Sequence, residues 1–348
     1  MTGDIALWLI QDGVINGAIY VLMALALLLV FAVTRIIFVP QGEFVALAGL
    51  TLGTLQLGQI PGTIYLLLCG GLLVTLLEAR TALRDKEPAR LLRVVAVYLL
   101  VPAAIAAIAA WAAPRKFGIL IQMAITFALV VPLGPMLYRV AFRPLADASI
   151  LVLFIASMAV HYAVSGLALA FFGGEGLRAS PISDAKFDIG VLQVSAQSIW
   201  VVGASLACML ALWLFFEYTL YGKALRATAI NRVGARIVGI PTEFAGRLAF
   251  TVAAAMGALS GILIAPLATI YYDTGLMLGL KGFVGAILGG MGSYPLAALG
   301  ALAVGLLEAF SSFWASNLKE TIVFTFIIPV LLWLSLVSRH PVVEDEEE

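Results

Sequence analysis

Charged residues are scarce in this chain of 348 residues, because Asp, Glu, Lys and Arg together make up 11% of it, whereas soluble domains carry about 25%. Hydrophobic residues make up 63%, and the mean hydropathy is +1.09. This composition excludes an ordinary soluble domain and predicts about ten membrane spans of roughly 20 residues each. The formal net charge is zero, so the sequence does not indicate a nucleic-acid partner.

Residues that carry out catalysis are scarce as well. The chain has two histidines and two cysteines, and it lacks the P-loop pattern, HExxH, G-x-S-x-G and any Cys/His cluster. His161 stands alone in an apolar run, which favours a packed, hydrogen-bonded core residue, and Cys69 and Cys208 are expected to be small buried residues. We therefore expect no enzyme activity, no catalytic residue and no metal or cofactor on this chain. If ATP drives the protein, another chain must bind it.

The apolar runs have the length of membrane-spanning helices. They fall at 13–33, 42–58, 62–78, 93–113, 117–138, 149–172, 197–218, 244–270, 276–291, 294–314 and 320–338. Lipid offers no partner to backbone N–H and C=O groups, so nearly all of these runs must be helical. The short, glycine-rich run at 276–291 either crosses with help from its neighbours or enters and returns.

The sequence thus predicts an all-α, polytopic helix bundle with about 10–11 transmembrane or half-membrane segments. We expect a single domain over residues 1–338, followed by an acidic cytoplasmic tail at 339–348. When the loop at 222–247 is placed in the cytoplasm, fourteen of the 20 lysines and arginines fall on that side. Because Lys and Arg favour cytoplasmic loops, this predicts an external N-terminus and a large external loop at 173–196. The start, MTGDIALWLI, lacks a basic stretch and a cleavage site, so no removable signal peptide is expected.

Residues 222–240 read GKALRATAINRVGARIVGI and carry four cations and no acid. On one continuous helix, a spacing of 100° per residue gathers four aliphatic side chains into a stripe: Ile230, Val233, Ile237 and Ile240. The opposite face would hold Asn231, Ala235 and Gly239, and two arginines, Arg232 and Arg236, would lie beside the stripe. Such a cytoplasmic helix either lies on anionic lipid or docks its small-residue face into a groove on a soluble partner.

Charged residues within spans are costly and are therefore candidate functional residues. Glu43 follows Gly42 at the start of the second run, either as a carboxylate stabilised by the helix dipole or as a functional switch. Glu308 lies deep in its run, where it either hydrogen-bonds a neighbouring helix or faces a solute pathway. Glycines spaced four apart predict close helix packing; they are Gly13/Gly17, Gly49/Gly53, Gly257/Gly261 and Gly285/Gly289.

Several strings occur in an order that is similar to that of one transporter family. They are INGAIYVLMALAL (15–27), QGEF (41–44), RVAFRP (139–144), YGKALRATAINRVGARIVGI (221–240), LKGFVGAILGGMGS (280–293) and LGALAVGLLEAFSS (299–312). The chain resembles the membrane permease family of branched-chain amino-acid ABC importers, in the subfamily that includes urea and short-amide importers. The resemblance is clearest over residues 139–338. It implies a bacterial inner-membrane subunit that moves branched-chain or related small amino acids.

The resemblance also implies roles for particular residues. In that family the cytoplasmic helix is the coupling helix, which the ATP-hydrolysing subunit reads through an Ala–Gly pair, here Ala235 and Gly239. The implied ATPase-coupling residues are Arg226, Asn231, Arg232, Ala235, Arg236 and Gly239. The implied substrate pathway or gate consists of Asn16, Gly17, Tyr20, Gln41, Gly42, Glu43, Gly289, Gly290, Gly292, Ser293 and Glu308.

The expected partners follow from the same resemblance. They are a second permease subunit, alike or different, two cytoplasmic ATPase subunits that bind ATP, an external solute-binding protein, and membrane lipid. The alternative is a stand-alone channel or secondary transporter for a small polar solute such as urea or an amide. That alternative needs paired charges within the membrane, which are scarce in the sequence.

The chain departs from the family in two places. Residues 38–41 read Phe-Val-Pro-Gln where members often have Asn-Phe-Ala-His, so a pathway lined by this segment would differ in polarity. Residues 59–116 are longer than in the family and are expected to hold one or two added spans at the periphery, with no assigned role.

Overall fold

The computed structural model describes residues 3–84, 88–146 and 148–337. Helices follow all eleven predicted apolar runs: α1 (Gly3–Thr34), α2 (Gln41–Leu57), α3 (Thr63–Arg84), α4 and α5 (Pro88–Val95, Val101–Ala112), α6 and α7 (Ile119–Val130, Leu133–Leu137), α8 (Ile150–Phe172), α9 (Ala196–Tyr218), α12 (Thr242–Ile264), α13 (Thr274–Leu288), α14 (Tyr294–Trp314), and α15 and α16 (Lys319–Thr325, Ile327–Val337). Two short helices, α10 (Leu220–Ile230) and α11 (Arg232–Ile237), connect α9 to α12.

The predicted polytopic helix bundle is confirmed. Within the described part of the chain, nine helical stretches are long and apolar enough to cross a membrane, while α13 is a shorter apolar helix and α2 has 17 residues. The predicted acidic tail at 339–348 lies outside the described residues. Cys69 is exposed on the bundle surface, whereas Cys208 is partly exposed and packs against the edge of the core, so the prediction that both are buried was wrong.

Two spans contain a π-helical turn just before a proline. Ala96–Leu100 precedes Pro102, and Tyr138–Phe142 precedes Pro144. Proline has no backbone N–H, and its ring collides with the carbonyl four residues earlier, so the helix cannot keep its regular hydrogen bonds there. The wider turn accommodates the proline; the first span continues as α5, whereas the second ends in a 3-10 turn at Arg143–Leu145.

α1 is the central helix and packs against α12, α13 and α14. A Cβ at Gly305 of α14 would lie 2.4 Å from the backbone nitrogen of Gly17 and 2.5 Å from the carbonyl oxygen of Gly13, so this crossing requires glycine. The predicted packing role of the spaced glycines is thereby confirmed for α1. The pairs Gly257/Gly261 and Gly285/Gly289 likewise contact α2 and α14, whereas Gly49/Gly53 contact Ile270 and Leu177 outside the helices.

Two irregular segments, 35–40 and 265–273, lead into α2 and α13, and these two helices begin beside one another. A Cβ at Gly42 would lie 1.7 Å from the carbonyl oxygen of Gly275. Phe44 packs against Gly257, which lies about 10 Å before the end of α12 at 1.5 Å per residue. Both helices therefore begin inside the bundle, where irregular backbone is tolerated because protein surrounds it.

The segment at 35–40 is held by aromatic packing. Phe38 is fully buried, with ring centroids 4.7 Å from Phe250, 5.7 Å from Phe142 and 5.8 Å from Phe44. The backbone N–H of Val39 donates to the Ser157 hydroxyl at 3.0 Å. The apolar residue at position 38, where the resembled family often has a polar one, therefore fills part of the core.

Gly42→Ala is expected to destabilise the protein by about 3 kcal/mol, because the new methyl group meets backbone that cannot move aside. Gly166→Ala in α8 is the matched control, since nothing lies within 4 Å of a Cβ there and alanine favours helix by about 0.5–1 kcal/mol. Unfolding of the detergent-purified variants, followed by tryptophan fluorescence, measures both effects. Equal stability of the two variants would contradict the close packing of α2 on α13.

The connecting loops gather at opposite ends of the bundle, as the charge pattern predicts. At one end, a β-hairpin pairs β1 (Lys186–Ile189) with β2 (Leu192–Ser195), and Leu177 pairs with Ile270. At the other end, Glu78 forms ion pairs with Arg139 and Arg143. The predicted cytoplasmic loops thus share one end; which end faces the cytoplasm stays a prediction.

Candidate functional site

The segment predicted as one amphipathic helix forms two helices with a break at Asn231. Asn231 has φ −148° and ψ 102°, and its side-chain oxygen accepts from the N–H of Gly234 at 2.8 Å. It is therefore the N-cap of α11. Gly239 has φ +84°, and the N–H of Ile240 donates to the carbonyl oxygen of Ala235 at 2.9 Å, which is the hydrogen bond of a glycine C-cap.

The three residues predicted to share one helix face therefore do not form a common surface, although Asn231 and Gly239 are exposed. Ala235 is 3% exposed and packs inward, and Asn231 and Gly239 lie at the helix ends, where their roles are capping and chain reversal. A helical wheel drawn for one continuous helix places these residues incorrectly, because the break at Asn231 rotates α11 relative to α10.

α10 and α11 expose four aliphatic side chains beside their polar residues. Val233 is 67% exposed and Ile237 is 80% exposed. Ile230, at the end of α10, and Val238, just after α11, are exposed as well. Globular surfaces rarely present such a group of aliphatic residues unless it meets lipid or another protein. We refer to these four residues, Ile230, Val233, Ile237 and Val238, as the aliphatic surface.

The arginines of this segment bind to the chain itself. Arg232 donates to the carbonyl oxygen of Ala146 at 3.1 Å, Arg236 donates to the Thr242 hydroxyl at 3.2 Å, and Arg226 lies 3.4 Å from Glu217. Arg232 thereby connects α11 to the turn before α8. The predicted coupling arginines hold the position of α11, and their role toward a partner stays a prediction.

A network of four charges continues from that turn into the bundle. Arg139 and Arg143 lie 2.9 and 2.5 Å from Glu78 of α3, and 3.4 and 3.1 Å from Glu243 of α12. Glu78 is buried, so the arginines that compensate its charge also fix α3 in place. The sequence reasoning missed this network, because the partners are far apart in the chain.

The predicted pathway residues Asn16, Gly17, Tyr20 and Glu308 lie where the middle of α1 crosses α14. Glu308 accepts hydrogen bonds from the Tyr20 hydroxyl at 2.5 Å and from the Lys281 ammonium at 2.6 Å. Lys281 is 6% exposed and Glu308 7%. Lys281, which the sequence analysis did not single out, is thus a buried partner of Glu308. Two opposite charges in separate apolar runs were the available signal.

A second predicted group, Gln41, Gly42 and Glu43, lies inside the bundle at the start of α2. Glu43 is buried and hydrogen-bonds the Nδ1 atom of His161 at 2.8 Å, and Gln41 donates to the carbonyl oxygen of Ala253 at 2.9 Å. The hydrogen-bonded core role predicted for His161 is confirmed. The bundle therefore buries one ion pair, Lys281 with Glu308, and one hydrogen-bonded pair of ionisable residues, Glu43 with His161, although paired charges were expected to be scarce.

The third predicted group lies in the turn between α13 and α14. A Cβ at Gly289 would meet the backbone nitrogen of Ala297 at 2.2 Å, and Gly290 and Met291 have φ values of +72° and +50°. Gly292 and Ser293 border a groove of about 780 Å³ between α1, α9 and α10. The pathway and gate residues therefore occupy three separate places, and a role in solute passage stays a prediction for each.

The sequence is similar to those of known proteins. The profile of a family described as "Branched-chain amino acid transport system / permease component" matches residues 9–336. The chain is 32% identical over 203 residues to the high-affinity branched-chain amino acid transport system permease protein LivH of Escherichia coli (strain K12), and equally to LivH of Salmonella typhimurium. Each alignment covers 56% of this chain and 65% of LivH. It is 27% identical over 207 residues to BraD of Pseudomonas aeruginosa, covering 58% of this chain and 67% of BraD.

The aligned region is thus less than two thirds of the length of LivH. The family profile, however, extends over almost the entire helix bundle, from within α1 to the end of α16. It also agrees with the order of motifs that the sequence itself shows. The chain belongs to the permease family of branched-chain amino acid transport systems.

Proposed function

We propose that this chain is the transmembrane subunit of an ABC importer in a bacterial inner membrane, and that it carries branched-chain or related small amino acids inward. The observation that supports this most directly is the aliphatic surface on α10 and α11. It lies at the end of the bundle where the basic loops gather, and it has a chemistry suited to the groove of a protein partner. The chain itself supplies transmembrane helices, and ATP binds on the partner.

The proposed assembly has two permease subunits, two ATPase subunits and an external solute-binding protein. LivH and BraD are named as permease proteins of high-affinity branched-chain amino acid transport systems. A solute-binding protein would deliver its cargo at the end of the bundle that carries the β-hairpin. The ATPases would contact α10 and α11 at the opposite end, and their closure on ATP would move α11.

Contacts within the chain provide a route for that movement. Arg232 ties α11 to Ala146, and Arg143, three residues earlier, binds Glu243 at the start of α12 and Glu78 of α3. α12 in turn packs along the start of α2 through Gly257 and Gly261. A displacement of α11 would therefore reach the crossing of α2 and α13 through packed elements, which transmit strain because they are not compressible.

A stand-alone secondary transporter is the second candidate. It is favoured by the two buried pairs, Lys281 with Glu308 and Glu43 with His161, because ionisable groups inside a membrane protein commonly take part in ion coupling. The proposed ABC function gives these pairs no coupling role.

Reconstitution distinguishes the two functions. The full chain is placed in proteoliposomes alone, and also with an ATPase and a binding protein from the same organism, and uptake of labelled L-leucine is measured. The proposed function predicts uptake that requires enclosed ATP and is unaffected by an ionophore. Uptake by the chain alone that an ionophore abolishes would overturn the proposal and establish the secondary transporter.

A further inference from the structure

A small polar cavity opens between α1, α14 and α15, beside the buried Glu308. It has a volume of about 270 Å³, below the range of about 300–1,000 Å³ that holds drug-sized ligands, so it suits a small solute. Its polar lining consists of Asp12, Asn16, Glu308, Ser312 and Lys319, and apolar side chains, among them Leu9 and Phe313, close one side.

The cavity follows from the spacing of residues on two helices that touch. Asp12 and Asn16 are four residues apart on α1, and Glu308 and Ser312 are four residues apart on α14, so each pair lies on one helix face. The glycine contact of Gly13 and Gly17 with Gly305 draws the two backbones together just beside these residues. The polar side chains therefore flank a fixed crossing and do not depend on a mobile loop.

The charges of the cavity suit a molecule that carries both signs. Glu308 is already compensated by Lys281 at 2.6 Å, and Lys281 also lies 4.0 Å from Glu320. Among the described residues, neither Asp12 nor Lys319 takes part in an ion pair, so the cavity presents one free carboxylate on α1 and one free ammonium on α15. The amide of Asn16 and the hydroxyl of Ser312 can each donate and accept hydrogen bonds.

We infer that this cavity binds a small zwitterion with the chemistry of a free α-amino acid. Lys319 and Ser312 bind the carboxylate, Asp12 and Asn16 bind the ammonium group, and Leu9 and Phe313 contact an aliphatic side chain. The inference deepens the proposed function and rests on it for the assignment of an amino acid as cargo. Zwitterionic lipid headgroups share this chemistry, so the test must separate a free solute from lipid.

Protection of a single cysteine measures occupancy directly. Ala309→Cys, at a position that lines the cavity and has no assigned contact with the solute, is introduced together with Cys69→Ser and Cys208→Ser, and the full chain is purified into nanodiscs made only of phosphatidylglycerol. The initial rate of reaction with an impermeant maleimide is then measured with each of the natural amino acids except cysteine, whose own thiol would consume the reagent. At a leucine concentration ten times its Kd, the rate should fall about tenfold, because the site is then occupied in all but one molecule in about eleven.

Matched variants and analogues make the test specific. Ser316→Cys, outside the cavity lining, should react at the same rate with and without leucine. 4-Methylpentanoate and 3-methylbutylamine each lack one of leucine's charges, so each should protect at least roughly tenfold less well than leucine. Leucine should likewise protect the Asp12→Asn and Lys319→Gln variants at least roughly tenfold less well, because each variant loses a charge-assisted hydrogen bond. These two positions are at the surface, so size-exclusion chromatography can verify that the variants remain folded.

The outcomes are distinct. Absence of protection by every amino acid, or equal protection after Asp12→Asn and Lys319→Gln, would overturn the site. Protection that requires phosphatidylethanolamine and no added solute would assign the cavity to lipid and also overturn it. Because labelling needs no ATP and no partner chain, a failure of ATP-driven uptake would contradict the proposed function while leaving the result on the cavity intact.

Discussion

A chain that carries Val233→Asp together with Ile237→Asp is expected to insert into the membrane normally and to lose its ATPase subunit on copurification. Both side chains are exposed on α11, four residues apart on one face. If they fill a groove on the partner, each aspartate buries an unpaired carboxylate there. Single interface residues of this kind cost about 2 kcal/mol or more, so affinity should fall by roughly 30-fold or more. Pull-down of the tagged permease and its stimulated ATP hydrolysis measure the loss.

Val191→Asp serves as the control, because Val191 is an exposed valine in the turn of the β-hairpin at the opposite end of the molecule. It should leave ATPase retention unchanged. Val233→Trp separates docking from the lipid alternative, since tryptophan is favoured at a membrane interface but overfills a packed groove at a cost of about 1–3 kcal/mol. Normal ATPase retention by the double aspartate variant would contradict the docking role of the aliphatic surface.

Gly239 is a poor position for such a test, although the sequence makes it attractive. Its φ of +84° lies in the left-handed region, where any larger side chain strains the backbone. A substitution there would weaken the C-cap of α11 whether or not a partner binds.

The existence and position of the spans could be predicted from the sequence, because lipid imposes length, apolarity and helical hydrogen bonding together. The break between α10 and α11 was predictable in principle, since Asn favours N-caps and Gly favours C-caps. Treating residues 222–240 as one continuous helix placed Asn231 and Gly239 on a helix face, although they lie at helix ends. Which side of α11 is exposed depends on Ala235 packing inward, which is a tertiary contact.

The candidate site was only partly predictable for a different reason. Glu43 and Glu308 were identified because an acid inside an apolar run is costly. Their partners, His161 and Lys281, are 118 and 27 residues away, and no local pattern links them. Similarly, the cavity forms because α1 and α14 cross at their glycines. The spacing of those glycines predicts close packing but does not indicate which helix packs against them.

Glu308→Leu is expected to destabilise the permease by about 3–5 kcal/mol, because it leaves the buried Lys281 ammonium without the carboxylate that compensates it. Lys281→Met should be damaging for the converse reason, although the Tyr20 hydroxyl still donates to Glu308. The double variant, Glu308→Leu with Lys281→Met, should be far less damaging than the sum of the two, since neither charge remains to be buried alone. Unfolding of the detergent-purified chains gives the three free energies, and the coupling should exceed about 1 kcal/mol.

Glu308→Gln provides the conservative control for this cycle. An amide can still accept hydrogen bonds from Lys281 and Tyr20, so the variant should assemble and lose less stability than Glu308→Leu. If it assembles normally but no longer supports leucine uptake, the carboxylate charge itself is needed in the solute pathway, as expected of a residue that borders the zwitterion cavity. Additive effects in the double variant, within about 0.5 kcal/mol of the sum, would contradict the buried pair as an interacting unit and leave the two residues as independent packing positions.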